Sequence, residues 1–413
     1  MPEHPCSGYK FSFNLELYHP LGQTTGIISG VFDNLLQTKL TIPPVSDSLV
    51  ARPSLAARLA ISVGHKLTLI TAPAGYGKTT LLATWLTGLR ATIDGGEVAV
   101  NRHKHSEEAN RQCRTATLSA PPVVNRKYAW LSLDPADDNP GRFCVYLLAA
   151  LQTISPDIGR SAEPLLQGRR DPPPVAVMTA LLNDLVAYGG SVTLVIDDYH
   201  IITDTAVHDA MSLLIDQLPA TAHLIIASRT IPPWPLARWR ARSQLAELTM
   251  ADLQFSTDDT TVFLNDLMSL NLTANDIVAI AERAEGWVAG LKLISLAMRS
   301  NNVRSQWIAH LSGQHRFIFD YLAEEVFNQQ PPDIQQFLLD MAVLERLAPD
   351  LCDALRGEEL APVSMLPRPP ASSILLQLEH TNLFLPPLDE ERHWYRFHSR
   401  TQALARAQEL TLL

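Results

Sequence analysis

Residues 67–86, LTLITAPAGYGKTTLLATWL, decide the fold of this chain. The run from Leu67 to Thr71 is apolar and β-branched, which predicts a buried strand. A turn of Gly and Pro residues follows, and the apolar spacing of a helix begins after it. A strand, a glycine loop and a helix that carries Gly-Lys-Thr are the context that a phosphate-binding loop requires. We weigh this against a chance glycine-rich turn, and the context favours a nucleoside triphosphate site.

The positions of this loop have individual predicted roles. Gly75 and Gly77 let backbone N–H groups turn inward and form a concave nest for an anion, next to the positive dipole end of the helix. Lys78 is expected to contact the β- and γ-phosphates, and the Thr79 hydroxyl is expected to ligate Mg²⁺. The usual motif has its first glycine where this chain has Ala72. The residues predicted to bind the nucleotide in the loop are Ala74, Gly75, Tyr76, Gly77, Lys78, Thr79 and Thr80.

The composition of the whole chain bounds the class of protein. Its 413 residues suffice for two or three domains, and its 46% of apolar residues is ordinary for a soluble protein. No stretch approaches the roughly 18 apolar residues of a membrane helix, and the N-terminus lacks the pattern of a secretory signal. The four cysteines have no metal-ligand spacing, and the net charge of −10 argues against nucleic-acid binding by the whole chain. We therefore expect a cytoplasmic protein with no membrane partner.

A second site element is predicted at Val192 to His200, VTLVIDDYH, an apolar run that ends in acidic residues. Such a strand is the expected partner of a phosphate-binding loop. Asp197 is expected to hold Mg²⁺ through water, and Asp198 to lie near the γ-phosphate, where it would orient or activate the attacking water. The alternative for this acidic pair is a solvated strand end.

A third site element is predicted at the end of another strand, residues 223–229. Arg229 falls at the carboxyl edge of that strand, where ligands bind in open α/β sheets. An arginine at this position can detect the loss of charge when a γ-phosphate is released. Arg229 is therefore a predicted γ-phosphate sensor.

Strands alternate with helices over about 185 residues, which predicts a parallel five-stranded sheet covered on both faces. We assign a P-loop ATPase domain of the α/β class to residues 35–250, with a flexible insertion at 91–127 and an N-terminal extension at 1–34. Before the loop, Val50, Arg52 and Pro53 are candidate contacts to the adenine base. An ordinary N-terminal packing segment is the equal alternative. The predicted strands are 67–71, 128–134, 192–200, 223–229 and 245–250.

The strands stop beyond Met250. Ser256 to Asp259 and Thr273 to Asp276 both place an acid three residues after a Ser or Thr, as in helix capping boxes. We expect a small helical domain at 251–312, a winged-helix domain at 313–400 and a C-terminal tail at 401–413. The predicted helices are 257–270, 274–285, 287–300, 317–328, 333–344 and 374–380. The predicted hairpin strands are 382–388 and 394–398.

Several motifs together resemble the MalT-like group of large ATP-binding LuxR-type transcriptional regulators. They are APAGYGKTT at 72–80, WLSLD at 130–134, DDYH at 197–200, Ser228-Arg229, EGW at 285–287 and LQLEHTNLFL at 376–385. The resemblance covers about residues 35–398 apart from the insertion. It implies an ATPase of NB-ARC type within a STAND-class switch, and Ala72 matches how this group writes the loop.

The resemblance also implies roles for single residues. Lys78 and Thr79 would be the phosphate and Mg²⁺ contacts, with Asp197 and Asp198 as the acidic pair and Arg229 as the sensor. His398 falls where a winged helix of this class places a histidine against the β-phosphate of ADP, although an ordinary hairpin histidine is an equal alternative. We interpret Trp287 as core packing rather than as a ligand contact.

Members of this group continue into a helical repeat array and a DNA-binding helix-turn-helix, which this sequence lacks after His398. We therefore expect a truncated regulator, a split gene product or a frameshifted remnant that does not bind promoter DNA alone. The favoured function is an ATP/ADP- and Mg²⁺-binding switch with slow hydrolysis and ATP-dependent self-association. The alternatives are an AAA-type ATPase with rapid turnover and a remnant without regulatory output.

Overall fold

We describe the protein from a computed structural model. The described residues are 35–46, 49–93, 126–166, 173–300, 330–344, 346–357, 369–380, 389 and 393–395. The N-terminal extension, most of the predicted insertion, the helix predicted at 317–328 and the tail lie outside these residues, and so does His398.

A five-stranded parallel sheet forms the centre of the first domain, as predicted, with strand order β2-β3-β4-β1-β5. Strand β1, which precedes the predicted phosphate loop, therefore lies between β4 and β5. Strand β3, which ends at the acidic pair, is the neighbour of β4 on its other side. The strands are β1 (Leu67–Thr71), β2 (Lys127–Ser132), β3 (Val192–Asp197), β4 (Ala222–Ser228) and β5 (Leu245–Leu248).

The register of these strands assembles one edge of the sheet. Thr71 at the end of β1 pairs with Ser228 at the end of β4, and Ser132 at the end of β2 pairs with Asp197 at the end of β3. Since all the strands are parallel, their carboxyl ends meet at this edge, where ligands bind in such sheets. The predicted loop, acidic pair and sensor all follow strands that end there.

Helices cover both faces of the sheet. Successive strand residues point to opposite faces, so each strand contributes to two buried clusters. Ile70 and Val195 belong to one buried cluster, whereas their neighbours Leu69 and Leu194 belong to the other. The helices of this domain are α1 (Pro53–Ser62), α2 (Lys78–Ile93), α3 (Pro140–Gln152), α4 (Glu163–Leu166), α5 (Pro174–Tyr188), α6 (Thr205–Gln217) and α7 (Leu236–Ala241). Helix α2 reaches Ile93 and β2 begins at Lys127, so both ends of the predicted insertion interval are regular structure.

A helical unit follows β5. Its helices are α8 (Met250–Leu253), α9 (Thr257–Thr261), α10 (Ala274–Ala284) and α11 (Val288–Ser300). Both predicted capping boxes form: Ser256 pairs reciprocally with Asp259, and Thr273 pairs reciprocally with Asp276. Helix α10 ends at Ala284, and both Glu285 and Gly286 after it have a left-handed conformation.

The helix predicted at 257–270 forms but ends at Leu267, and only its first part is α-helical. Helix α9 ends at Thr261 and continues as a π-helical turn, Val262–Leu267. The Asn265 side chain exchanges two hydrogen bonds with the backbone of Leu272, at 2.7 and 3.1 Å, which draws the chain away from helical geometry. These bonds cannot form in an uninterrupted helix, because residues seven apart lie two turns from each other.

The described part of the C-terminal region contains α12 (Pro332–Asp340), α13 (Pro349–Gly357) and α14 (Ala371–His380). The helix predicted at 333–344 stops at Asp340, and the helix predicted at 374–380 already begins at Ala371. Helix α13 was not predicted. Of the predicted hairpin only Trp394 and Tyr395 are described, and Tyr395 forms an antiparallel bridge with Leu347; residues 382–388 lie outside the described residues.

Candidate functional site

The phosphate loop between β1 and α2 has the backbone of an anion nest. Gly75 and Gly77 have φ angles of +79° and +78°, which residues with a side chain rarely adopt. A Cβ added at Gly77 would meet no atom within 4 Å, so this glycine faces the open, concave side of the loop. Helix α2 begins at Lys78, so its free N–H groups lie at the same place. The loop therefore fits a bound phosphate.

Lys78 lies inside the curve of this loop. Its Nζ donates hydrogen bonds to the carbonyl oxygens of Ala72 at 2.7 Å and Pro73 at 3.0 Å, and the residue is only 7% exposed. The pKa of Lys78 is lowered to about 8, mainly by burial; Asp198 acts in the opposite direction, and Arg229 contributes to the lowering. A cation held in a poorly solvated nest is suited to an anionic ligand, which would restore the lysine's preference for its charged form.

The predicted magnesium residues lie in direct contact. Thr79 Oγ1 donates a hydrogen bond of 2.6 Å to Asp197 Oδ2, across the 118 residues that separate α2 from the end of β3. The pKa of Asp197 is raised to about 6, mainly by burial and in addition by the negative charge of the adjacent Asp198. A hydroxyl and a carboxylate are oxygen ligands of the kind that Mg²⁺ prefers. A cation between them would also remove the cost of burying the carboxylate.

Asp198 leaves β3 in an unusual conformation. Its φ of +58° is left-handed, its N–H donates to Asp197 Oδ1 at 3.0 Å, and its side chain is 41% exposed. The strand predicted to reach His200 therefore ends at Asp197. Left-handed non-glycine residues cost free energy and cluster at functional sites. The turn places the Asp198 carboxylate beside the loop, where it influences the pKa of Lys78.

His200 belongs to this cluster, although sequence reasoning gave it no role. Its Nδ1 lies 3.7 Å from Asp198 Oδ1. Burial lowers the pKa of His200 to about 3, and the positive charges of Arg229 and Lys78 contribute to this shift. The imidazole is therefore neutral near pH 7, and its ring nitrogens can orient a water molecule. The sequence signal that could have identified His200 is its position two residues after the acidic pair, in the run DDYH at 197–200.

Arg229 follows directly after β4 and acts electrostatically on both Lys78 and His200. The residue predicted as the sensor thus belongs to the same charged group as the loop lysine. The structure brings together the loop residues, Asp197, Asp198 and Arg229, which lie up to 157 positions apart between Ala72 and Arg229 in the sequence. Their roles toward a ligand stay predictions.

The candidate base contacts lie at the start of α1. Arg52 donates hydrogen bonds to the carbonyl oxygens of Asp252, Leu253 and Gln254 at 3.1 to 3.2 Å, so its guanidinium caps the end of α8. Pro53 is the first residue of α1, and Val50 packs against the core. These contacts describe a packing role for Arg52, and the base-contact role of the three residues stays a prediction.

Trp287 was interpreted from the sequence as core packing, but it also contacts the phosphate loop. Its indole is buried in the core, as expected, but its Nε1 also donates a hydrogen bond of 2.9 Å to the carbonyl oxygen of Ala74 in the phosphate loop. The backbone N–H of Ala289 donates to the carbonyl oxygen of Gly75 at 3.0 Å. The helical unit therefore contacts the outer side of the loop directly.

Within the described residues, no helix combines the length and apolar character needed to cross a membrane.

Comparisons with known proteins bear on the family and on the fold of this chain. The family model of the MalT winged helix domain matches residues 323–409. The HTH-type transcriptional regulators MalT of Yersinia enterocolitica and Yersinia pestis are each 32% identical over 368 residues. These alignments cover 88% of this chain and 35% of each relative, so the chain spans about a third of the relatives' length. A Walker-type ATPase of Pyrococcus abyssi superposes with a TM-score of 0.53 at 13% identity, over 88% of this chain and 98% of that one, which shows a shared fold.

Proposed function

The chain is a homologue of the MalT transcriptional regulators with a P-loop ATPase fold, and from this premise we propose that it is an ATP/ADP-binding switch of the STAND type. The observation that carries the proposal is the contact between Thr79 and Asp197 at 2.6 Å, beside a glycine nest that contains a buried lysine. This combination of an anion nest, a cation and two oxygen ligands fits the phosphates and metal of a nucleotide.

The loop residues would bind the phosphates. The N–H groups of the nest and of the first turn of α2 would donate to the β-phosphate. Lys78 would exchange the carbonyl oxygens of Ala72 and Pro73 for phosphate oxygens, which carry more negative charge. Thr79 and Asp197 would hold Mg²⁺, which neutralises the charge of the β- and γ-phosphates when it is bound.

The residues after β3 and β4 would act at the γ-phosphate. Asp198 would accept a hydrogen bond from the attacking water and orient it, with the neutral His200 imidazole as its neighbour at 3.7 Å. Arg229 would lose an anionic partner after hydrolysis and thereby report the change from ATP to ADP. Turnover would be slow, since an aspartate that merely orients water is a weak base.

The relatives are named as transcriptional regulators, which suggests a regulatory role for this chain. We propose that the chain acts in transcription regulation in the cytoplasm, with self-association in the ATP-bound form. Sedimentation with ATP and with ADP measures this self-association. Equal sedimentation with both nucleotides would contradict the self-association.

The test of the proposal is the substitution Lys78→Ala. We expect the affinity for ATP and ADP, measured by isothermal titration calorimetry with Mg²⁺, to fall by about 100-fold, because charged hydrogen bonds to the phosphates are lost. The matched control is Lys127→Ala, since Lys127 lies at the opposite edge of the sheet, where its Nζ donates to the carbonyl oxygen of Ile154. Equal nucleotide affinity in both variants, or no binding by the unaltered chain, would reject the proposal.

A further inference from the structure

The helical unit forms the outer wall of the phosphate loop. Trp287 lies immediately before α11, and Ala289 lies in its first turn. The indole N–H of Trp287 donates to the carbonyl oxygen of Ala74 at 2.9 Å, and the backbone N–H of Ala289 donates to the carbonyl oxygen of Gly75 at 3.0 Å. Two successive carbonyl groups of the loop are therefore fixed by a segment more than 200 residues away in the sequence.

The fit at this contact requires a glycine. A Cβ added at Gly75 would lie 2.6 Å from Trp287 Nε1 and 2.6 Å from Ala289 Cβ, closer than real Cβ contacts. At Gly77, whose φ is nearly the same, an added Cβ would meet no atom within 4 Å. The two glycines therefore serve different purposes. Gly75 lets the helical unit approach the loop from outside, and Gly77 leaves room on the concave side.

Fixing these carbonyl groups also fixes the direction in which the backbone N–H groups of the nest point. In a planar trans peptide the C=O and the following N–H point in opposite directions. A hydrogen bond that holds the Ala74 carbonyl outward therefore turns the Gly75 N–H inward, and the bond to the Gly75 carbonyl does the same for the Tyr76 N–H. These inward N–H groups are the donors that a phosphate would use. The helical unit thus sets the orientation of donors that it does not itself contain.

We propose that Trp287 is a positioning residue that holds the phosphate loop in its anion-binding shape and couples nucleotide binding to the helical unit. The proposal rests on the nucleotide-binding function proposed above and names its regulation. By thermodynamic linkage, a contact that strengthens nucleotide binding is itself strengthened by the nucleotide. A bound nucleotide therefore stabilises the contact between the helical unit and the loop, and weakening the contact lowers nucleotide affinity.

The experiment is Trp287→Phe in the full chain, with Mg²⁺-ADP as the probe in isothermal titration calorimetry. We expect ADP affinity to fall about fivefold to tenfold, because the ring stays but the N–H donor is lost. The matched control is Trp239→Phe: Trp239 is also fully buried, and its Nε1 donates to Asp216 Oδ1 at 2.6 Å, on the other face of the sheet. The control is expected to lose stability but to keep the ADP affinity of the unaltered chain.

A second variant covers the case in which Trp287→Phe does not fold. Ala289→Pro removes the N–H donor to Gly75, at a first-turn position where a helix tolerates proline. Asn275→Pro, at the second position of α10, is its control. We expect only Ala289→Pro to lower ADP affinity. Hydrogen exchange adds the reciprocal readout, since ADP should protect the Ala289 amide in the unaltered chain and less so in Trp287→Phe.

The outcomes separate the two proposals. If Trp287→Phe and Ala289→Pro bind ADP as tightly as their controls while Lys78→Ala has lost binding, the loop does not depend on the helical unit and the inference is overturned. If the unaltered chain does not bind ADP, the nucleotide-binding function itself is rejected. A selective loss of affinity in both variants, with reduced ADP-dependent protection, supports the role of Trp287.

Discussion

Lys78 and Asp197 have pKa shifts in opposite directions, and burial is the largest cause of both. Desolvation disfavours the charged form of either group, so it lowers the pKa of the lysine and raises that of the aspartate. Each group is therefore held in surroundings that a ligand of opposite charge would relieve. His200 follows the same rule, since burial and two cationic neighbours lower its pKa to about 3.

His223 allows a test of such a shift away from the candidate site. It is buried at the start of β4, with one ring nitrogen 3.0 Å from Thr68 Oγ1 and the other 2.7 Å from the carbonyl oxygen of His65. Burial lowers its pKa from 6.5 to about 4. The folded state therefore binds fewer protons than the unfolded state between these values, and the free energy of unfolding falls as the pH falls through this window.

We predict that His223→Gln removes part of this pH dependence. Between about pH 7 and pH 5 the histidine contributes a loss of roughly 2 kcal/mol to the free energy of unfolding, which glutamine cannot contribute because it does not titrate. Urea denaturation of both proteins at the two pH values measures the difference. A variant that loses as much stability on acidification as the unaltered chain would contradict the prediction.

The connections between elements depend on backbone conformation as much as on side chains. Glu285 and Gly286 between α10 and α11 have φ angles of +46° and +68°. The Gly286 carbonyl accepts a hydrogen bond of 3.0 Å from the Phe255 N–H, which ties this turn to the segment after α8. The turn thereby sets where α11 begins, and with it the position of Trp287 against the phosphate loop.

We predict that Gly286→Ala is strongly destabilising. An added Cβ would lie 2.8 Å from the Phe255 carbonyl oxygen and 2.9 Å from its nitrogen, and neither backbone atom can move freely. Strain at a positive φ together with this clash should cost about 2–5 kcal/mol in urea denaturation.

Gly189→Ala is the matched control for this substitution. Gly189 ends α5 with a φ of +65°, and an added Cβ would meet nothing within 4 Å. Only the strain remains, about 1–2 kcal/mol. Equal losses at the two glycines would mean that the contact between Gly286 and Phe255 has no energetic role.

At the scale of the whole molecule, the two buried clusters differ in extent. One fills the sheet face covered by α3, α5, α6 and α7. The other begins on the opposite face under α1 and α2, continues through α10 and α11, and reaches α12, α14 and Tyr395. The sheet with its helices, the helical unit and the described C-terminal helices therefore share one core. The phosphate loop itself contributes Ala72 and Tyr76 to this core, so the loop packs against the same buried cluster as the helical unit.

We predict that Arg52→Ala weakens the connection between these units. Arg52 bridges the start of α1 to three carbonyl oxygens at the end of α8 and lies 5.2 Å from the centre of the Phe255 ring. Loss of hydrogen bonds from a charged group that is 17% exposed should cost about 2–4 kcal/mol in urea denaturation.

The control for this substitution is Arg160→Ala. Arg160 pairs with Asp157 at 3.2 Å, and both side chains are 71% exposed, so its loss should cost less than about 1 kcal/mol. If Arg52→Ala is no more harmful than Arg160→Ala, the end of α8 does not depend on the arginine.

Residue patterns within short segments of the sequence predicted much of the fold of this protein. The strand–loop–helix run at 67–86, the alternation of strands and helices, and the acidic end of β3 were sufficient for the P-loop fold. The capping boxes at Ser256 and Thr273 were predicted correctly, because a capping hydrogen bond joins residues three apart. The π-helical turn at Val262–Leu267 and the bonds between Asn265 and Leu272 that follow it were missed, since no local residue pattern predicts them.

The sequence by itself determined the P-loop fold class and predicted the candidate residues for phosphate and Mg²⁺, because the glycine loop and the apolar strands are local patterns. Only the tertiary structure decided what surrounds them. The hydrogen bond from Trp287 to Ala74 joins residues 213 positions apart, and the bonds from Arg52 to the end of α8 span about 200 positions. No local periodicity encodes such pairings, because they depend on how the helical unit packs onto the sheet. That packing gives Trp287 its place against the loop and Arg52 its contacts with α8.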